Sequence, residues 1–401
     1  MRRSLGLLII PVLSLTLLSG CWNRIELNEL AIMVAMGIDK SDDQYVVTAQ
    51  VVNPGEVAAK SVGAGKTPVS TYQETGSTLL EAIRRVTTIA PRKLYGAHLR
   101  VLVIGEELAK EGIGKVLDLL SRDQELRTDY FIVVAKGTKA ENILKVLTTL
   151  ETIPANKLYA SLETSEKAWA PTKTITLDEL IADLVSKGIQ PSITGVQIKG
   201  DQKTGESKKN VEQIEPDSLL QYKGISVFKG DKLIGWLSEK ESKGFNYTQG
   251  KVNSTIVEVP CTEGSEKKVG IELIRTKANL NGTVQNGSPK GTVQIRAEGN
   301  VAEVQCKKLD LTKTKTIDQL EKKVEQDIKG TIEAAISKAQ EEFEVDMFGF
   351  GEAIHRSNPD FWKKVKKDWN QQFVDMPVEV KVDMKIRRIG TIGNSPLNKI
   401  K

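Results

Sequence analysis

The simplest pattern in the chain lies near its end. Val378, Val380, Val382, Met384 and Ile386 alternate with Glu379, Lys381, Asp383, Lys385 and Arg387, and a period of two predicts a strand with one buried face. Upstream the period lengthens. Ile317, Leu320, Val324, Ile328, Ile332, Ile336, Ala339 and Phe343 recur at three- and four-residue steps, so the spacing predicts a helix of about 27 residues, roughly 40 Å long, with one apolar face. Thr316 and Gln319 are placed as a capping box at its start. Between these elements Asn358-Pro359 offers a cap and a proline at the first helical position. Phe361, Val365, Trp369 and Phe373 follow at every fourth residue, which predicts a second helix.

Earlier in the chain, β-rich runs at 30–38 and 45–52 flank a polar turn and predict a hairpin. Thr78 with Glu81 forms a capping box for a helix. Strands are expected at 94–104 and 130–135, and helices at 106–120 (interrupted by Gly112 and Gly114), 140–149, 156–168 and 177–186. Residues 200–217 are polar and charged with only two aliphatics, and read as a linker or exposed loop. The second half predicts strands at 219–228, 232–237, 254–259, 269–277 and 292–304, with Asn-Gly turns at Asn281-Gly282 and Asn286-Gly287. The expected class is α+β. An N-terminal domain over 21–199 carries a mixed sheet with helices, and a C-terminal domain over 218–401, of one or two subdomains, carries an antiparallel sheet packed on the long helix.

The first 20 residues follow another logic. Arg2 and Arg3 precede an uncharged run from Leu5 to Leu18, and Leu18-Ser19-Gly20-Cys21 follows. Cations, a short apolar stretch and small residues are the regions of an export signal. The run is too short for a membrane span, which needs roughly 20 apolar residues. The four closing residues fit a bacterial lipobox, so Cys21 is expected to become the acylated first residue; two acyl chains anchor stably where one is marginal. Directly after it, Asn23 and Glu26 form a capping box, with Trp22 placed to pack on Leu27.

Removing residues 1–20 removes two arginines and no acids, leaving 55 basic and 52 acidic side chains, a net of +3. That balance argues against a nucleic-acid partner, which calls for a dominant basic field. Beyond Cys21 there are only Cys261 and Cys306. They do not make a disulfide scaffold. One bridge between them is possible, and two separate buried thiols are the expectation.

Candidate chemistry is thin. Gly63-Ala64-Gly65-Lys66-Thr67 lacks the earlier glycine of a phosphate loop, since position 60 is lysine. Gly112-Ile113-Gly114 has Leu117 where a dinucleotide fingerprint needs glycine. The two histidines, His98 and His355, stand in no metal-binding pattern; His98 is expected to be buried in a strand and His355 to favour a helix C-terminus. No metal, cofactor or catalytic residue is assigned. The lysines at Lys363, Lys364, Lys366 and Lys367 read as a solvated helix face, with an anionic lipid surface as the competing reading.

Several segments together resemble one family. Gly20-Cys21-Trp22-Asn23-Arg24-Ile25-Glu26-Leu27 and Gly37-Ile38-Asp39 resemble the start of the spore-germination receptor C subunits, the Ger(x)C (GerAC-type) lipoproteins. His98–Gly105, Arg122-Asp123 with Glu125 and Arg127, and Gly235-Trp236-Leu237-Ser238 with Glu241 continue the likeness. So do Phe348-Gly349-Phe350-Gly351-Glu352, Asn358-Pro359, Trp362 and the closing strand. Asn23 stands where the family usually has aspartate, and either residue caps a helix.

The resemblance implies a non-enzymatic, multidomain α+β subunit, held by the Cys21 lipid on the outer face of the spore's inner membrane. It also implies two polytopic partners, the A and B subunits, and a response to a nutrient germinant. Whether this subunit itself touches the germinant stays open, and a lipid-anchored extracytoplasmic solute-binding protein is the competing reading. Within the family reading, Gly349, Gly351, Trp362 and Trp369 are expected to shape a corner of the fold. Together with Trp22 they are the candidates for partner contact.

Overall fold

A computed structural model describes residues 29–58, 66–307 and 309–389. The signal, Cys21 and Trp22, the short helix expected after them, and most of the Gly63–Thr67 segment lie outside the described residues.

The chain opens with the predicted hairpin, β1 (Leu30–Ser41) and β2 (Gln44–Val52), followed by α1 (Pro54–Ala58), β3 (Val69–Gly76) and α2 (Leu79–Arg85). Thr78 caps α2 by accepting from Glu81 N at 3.2 Å. The single strand expected at 94–104 is two pieces, β4 (Lys93–Tyr95) and β5 (Val101–Gly105). A turn separates them, with Arg100 N donating to Val34 O and Leu99 N to Gly96 O. Helix 106–120 divides at its glycines, into α3 (Glu106–Glu111) and α4 (Gly114–Arg122). Then come β6 (Phe131–Ala135), α5 (Ala140–Lys145), α6 (Pro154–Ala168), α7 (Leu177–Val185) and β7 (Ser192–Gly200).

The first sheet has nine strands, in the order β3-β2-β1-β5-β6-β7-β8-β9 with β4 beside the start of β1. Here β8 is Ser218–Lys229 and β9 is Lys232–Trp236. β1, β5, β6 and β7 run parallel, and antiparallel pairs flank them on both sides. Strands covered on both faces lose the alternating pattern; all five residues of β5 and of β6 are buried. One face packs on α2, α3, α4 and α7, the other on α5 and α6.

The segment 200–217 is not a free linker. It forms two short helices, α8 (Gln202–Gly205) and α9 (Lys209–Glu212), and joins two neighbouring strands of one sheet. Its Asn210 is 1% exposed, donates to the carbonyls of Leu147 and Ser218, and accepts from Ser218 N. A polar composition hid this because the buried polar group is fully hydrogen-bonded.

After β9 come α10 (Glu239–Thr248), β10 (Thr255–Pro260), β11 (Lys268–Gln285) and β12 (Ser288–Val304). The long helix α11 (Thr314–Lys338) follows, extended by a wider turn over Ala339–Phe343, then α12 (Phe350–Ser357), α13 (Pro359–Val365), α14 (Trp369–Val374) and β13 (Val378–Arg388). The second sheet runs β10-β11-β12-β13. It is mixed rather than wholly antiparallel, because β13 pairs parallel to β12. The helices between those two strands are the long crossover that parallel pairing requires.

Further corrections belong to this half. Asn281-Gly282 is not a turn but lies inside β11; a Cβ on Gly282 would stand 2.8 Å from Ile354 Cδ1, so glycine lets α12 approach the strand. The turn is Asn286-Gly287, both at positive φ, as a tight hairpin demands. Helix α11 starts at Thr314 with no side-chain cap, so the Thr316–Gln319 box does not open it. Its apolar stripe is core: Leu320, Val324, Ile328 and Ile332 pack with Ile271, Val293 and Met384. Each such buried side chain contributes roughly 1.5–3 kcal/mol. Cys261 and Cys306 form a disulfide, Cα–Cα 5.8 Å, and are not separate thiols. The bridge joins the end of β10 to the end of β12, a proximity created by sheet order across 45 residues.

β8 belongs to both units. Leu220 packs on the α5–α6 side of the first sheet, whereas Ile225 and Val227 enter the core of the second unit. A register shift opposite Thr194–Val196 restores these odd-numbered residues to the same side, and Gly224 sits there at φ +76°.

Candidate functional site: an aspartate-centred corner and other joints

Gly349, Gly351, Trp362 and Trp369 come together, and a residue absent from the sequence reading organises them. Asp346 is fully buried. Its Oδ1 accepts from Phe348 N (3.0 Å) and Gly349 N (2.9 Å). Its Oδ2 accepts from Gly351 N (2.8 Å) and Trp369 Nε1 (2.8 Å). Burial pushes this carboxyl above its ordinary range, and the four N–H donors pull against that. The only signal in the sequence was an acid three residues before a Gly-x-Gly.

The glycines are there for contact. Gly349 adopts φ +87°, and a Cβ on Gly351 would stand 2.5 Å from Gly188 Cα and 2.6 Å from Trp369 Nε1. The loop 186–190 before β7 closes onto this corner. Gln190 N donates to Asp346 O (2.7 Å), Glu352 N to Gly188 O (3.3 Å) and Ser186 Oγ to Glu352 Oε1 (2.6 Å). The corner therefore clamps the second unit to the first sheet.

Trp362 meets Trp369 edge-on at 5.5 Å, and His355 stacks on Trp362 at 5.6 Å. To place both indoles in one core the chain bends between α13 and α14, so the single helix expected from Phe361 to Phe373 is two. Trp362 is 4% exposed, Trp369 2%, and both glycines are buried, which leaves little surface for a partner. His355 sits in the last turn of α12, as expected, and is exposed. Lys366 and Lys367 are exposed and line, with Lys187 and Lys229, a cleft of about 400 Å³ beside the corner.

The other motif residues are joints as well. Asp39, 4% exposed, accepts from Ala140 N (2.8 Å) and Glu141 N (3.0 Å), capping α5 in place of Lys139, which makes no side-chain cap. Ser238 and Glu241 form a capping box on α10. Trp236 Nε1 donates to Glu106 Oε1 (3.2 Å), and Asp123 Oδ1 accepts from Glu125 N (2.9 Å). His98 departs from expectation: it is exposed, 5.9 Å from the ring of Tyr95. Among the described residues no group of three or more His, Cys, Asp or Glu side chains is placed to hold a metal, and no helix is long and apolar enough to cross a membrane.

The pairing of a nine-stranded mixed sheet with a helix-backed four-stranded one is the fold of the GerBC protein in its crystal structure. The match has a TM-score of 0.53 at 21% identity and covers 88% of this chain and 96% of that one; it speaks to the fold alone. Two family models match in sequence: "Spore germination protein N-terminal domain" over 23–198 and "Spore germination B3/GerAC like, C-terminal" over 223–390. The chain is 34% identical to spore germination protein KC of Bacillus subtilis (strain 168), over 99% of this chain and 98% of that protein. It is 25% identical to spore germination protein B3 of the same organism, over 94% and 96%. The chain belongs to the GerAC-type spore germination protein family.

Proposed function

We propose that this chain is the lipid-anchored, non-catalytic subunit of a nutrient germinant receptor. On this reading residues 1–20 are removed and Cys21 carries a diacylglyceryl group. The folded body then sits on the outer face of the cytoplasmic membrane, the inner membrane of the spore, beside two polytopic A and B partners. The observation that carries it is the chain-long similarity to spore germination protein KC, joined to the Leu18-Ser19-Gly20-Cys21 lipobox. The Cys261–Cys306 bond supports the placement, because disulfides persist in oxidising compartments and are rare in the cytosol. The buried acids Asp39 and Asp346 are occupied by N–H donors, a chemistry of holding surfaces in place.

Replacing Cys21 with alanine tests the reading. The protein is expected to leave the membrane fraction, and spores are expected to form yet lose the response to one class of nutrient. A deletion strain that germinates normally in every nutrient overturns it.

A further inference from the structure

A groove of about 570 Å³ opens between α6, the turn before it and the start of β8, with part of the 210–218 segment as a wall. Small-molecule sites have this size and are mostly apolar with a few placed polar groups. Leu147, Leu150, Leu219 and Trp169 supply apolar surface. Leu150 is 94% exposed and Trp169 41%, so much of that surface faces water. Trp169 is nonetheless held in place: its indole N–H donates to Glu239 at 3.1 Å, and Lys243 Nζ stands 3.4 Å from its ring centroid.

Two polar groups in this lining lack the partners their chemistry calls for. Lys157 Nζ donates to the Leu220 carbonyl and lies 5.8 Å from the Tyr222 ring centroid. Desolvation shifts its ammonium down to about 8, and among the described residues no neighbouring charge offsets it. The Ser218 hydroxyl oxygen is buried with no hydrogen-bond partner among the described residues. Glu151 is the acid in the lining, and it is exposed. A desolvated ammonium without a counter-charge is stabilised by an arriving anion, and the apolar walls favour an anion that carries hydrocarbon.

We propose that this groove binds a small amphipathic anion, an aliphatic or aromatic monocarboxylate, with its carboxylate at Lys157 and its tail against Leu147, Leu150 and Trp169. The site depends neither on the lipid anchor nor on the partners proposed above.

Calorimetric titration with octanoate and its neutral isostere octanamide tests it, on the chain from residue 21 onward carrying Cys21→Ala, which keeps every described element. Octanoate is expected to bind one to one and about tenfold more tightly than octanamide, the gain of one charge-assisted contact. Lys157→Met is expected to abolish that preference, and Leu150→Asp to weaken both ligands. A Lys157→Met protein with native circular dichroism that still prefers octanoate overturns the proposal, as does a parent chain that binds neither. Efficient photo-crosslinking from position 150 to another protein in spore membranes also overturns it, because the groove would then be a protein docking surface.

Discussion

Asp346 shows how much one side chain can organise. It collects three backbone N–H groups and one indole N–H that would otherwise be buried without partners. Replacing it with alanine is expected to destabilise the protein by about 3 kcal/mol or more, since each orphaned buried donor costs about 1–3 kcal/mol. Urea unfolding followed by tryptophan fluorescence measures this, and a shift no larger than that of an exposed control such as Asp360→Ala would contradict it. Lys157 makes the opposite case. Its folded pKa of about 8 lies below the 10.5 of an ordinary lysine, so between those values the unfolded chain binds more protons. Stability should therefore rise with pH over that window, by up to about 3 kcal/mol. Lys157→Met is expected to add about 1–3 kcal/mol at pH 7 and to remove the rise, measured by urea unfolding across pH.

At the scale of elements, periodicity proved informative and most of its interruptions did not. The closing strand, the long amphipathic helix and the Thr78 cap of α2 were all written locally, in residues a few positions apart. Of the breaks, the one at Gly112 and Gly114 was legible locally; the others were not. Lys366–Asp368 bends the chain because two tryptophans must reach the same core, and β4 separates from β5 because the chain turns between their two partnerships on β1. Asn281-Gly282 reads as a turn by composition, yet its glycine answers the approach of Ile354 from another element. The disulfide belongs here too. Closing a loop of 45 residues, it is expected to contribute about 4 kcal/mol, so dithiothreitol or a Cys261→Ser, Cys306→Ser double variant should lower the urea midpoint. An unchanged midpoint together with two titratable thiols before reduction would show that the bond does not form.

For the whole molecule the decisive element is β8. It pairs between β7 and β9 in the first sheet and feeds Ile225 and Val227 into the second core, so the two units share a strand. The family models stop at 198 and resume at 223, close to the polar segment from which a boundary is read. A fragment ending at Lys199 would leave β7 without its antiparallel neighbour and Ile193 and Val196 without cover. It is expected to aggregate, or to give a poorly dispersed NMR spectrum, while the whole chain folds; a soluble, well-dispersed fragment would show that the first sheet closes without β8.

Taken alone, the sequence determined whatever depends on near neighbours: the α+β class, most helices and strands, and the family, because periodicity, caps and motifs are short-range signals. Only the tertiary structure decided that Cys261 meets Cys306, that Asp346 gathers the corner, that 200–217 is packed and that Lys157 is desolvated beside the Leu220 carbonyl. Each of these depends on which distant segments the sheet order brings together, and on how much water that packing leaves around a charge.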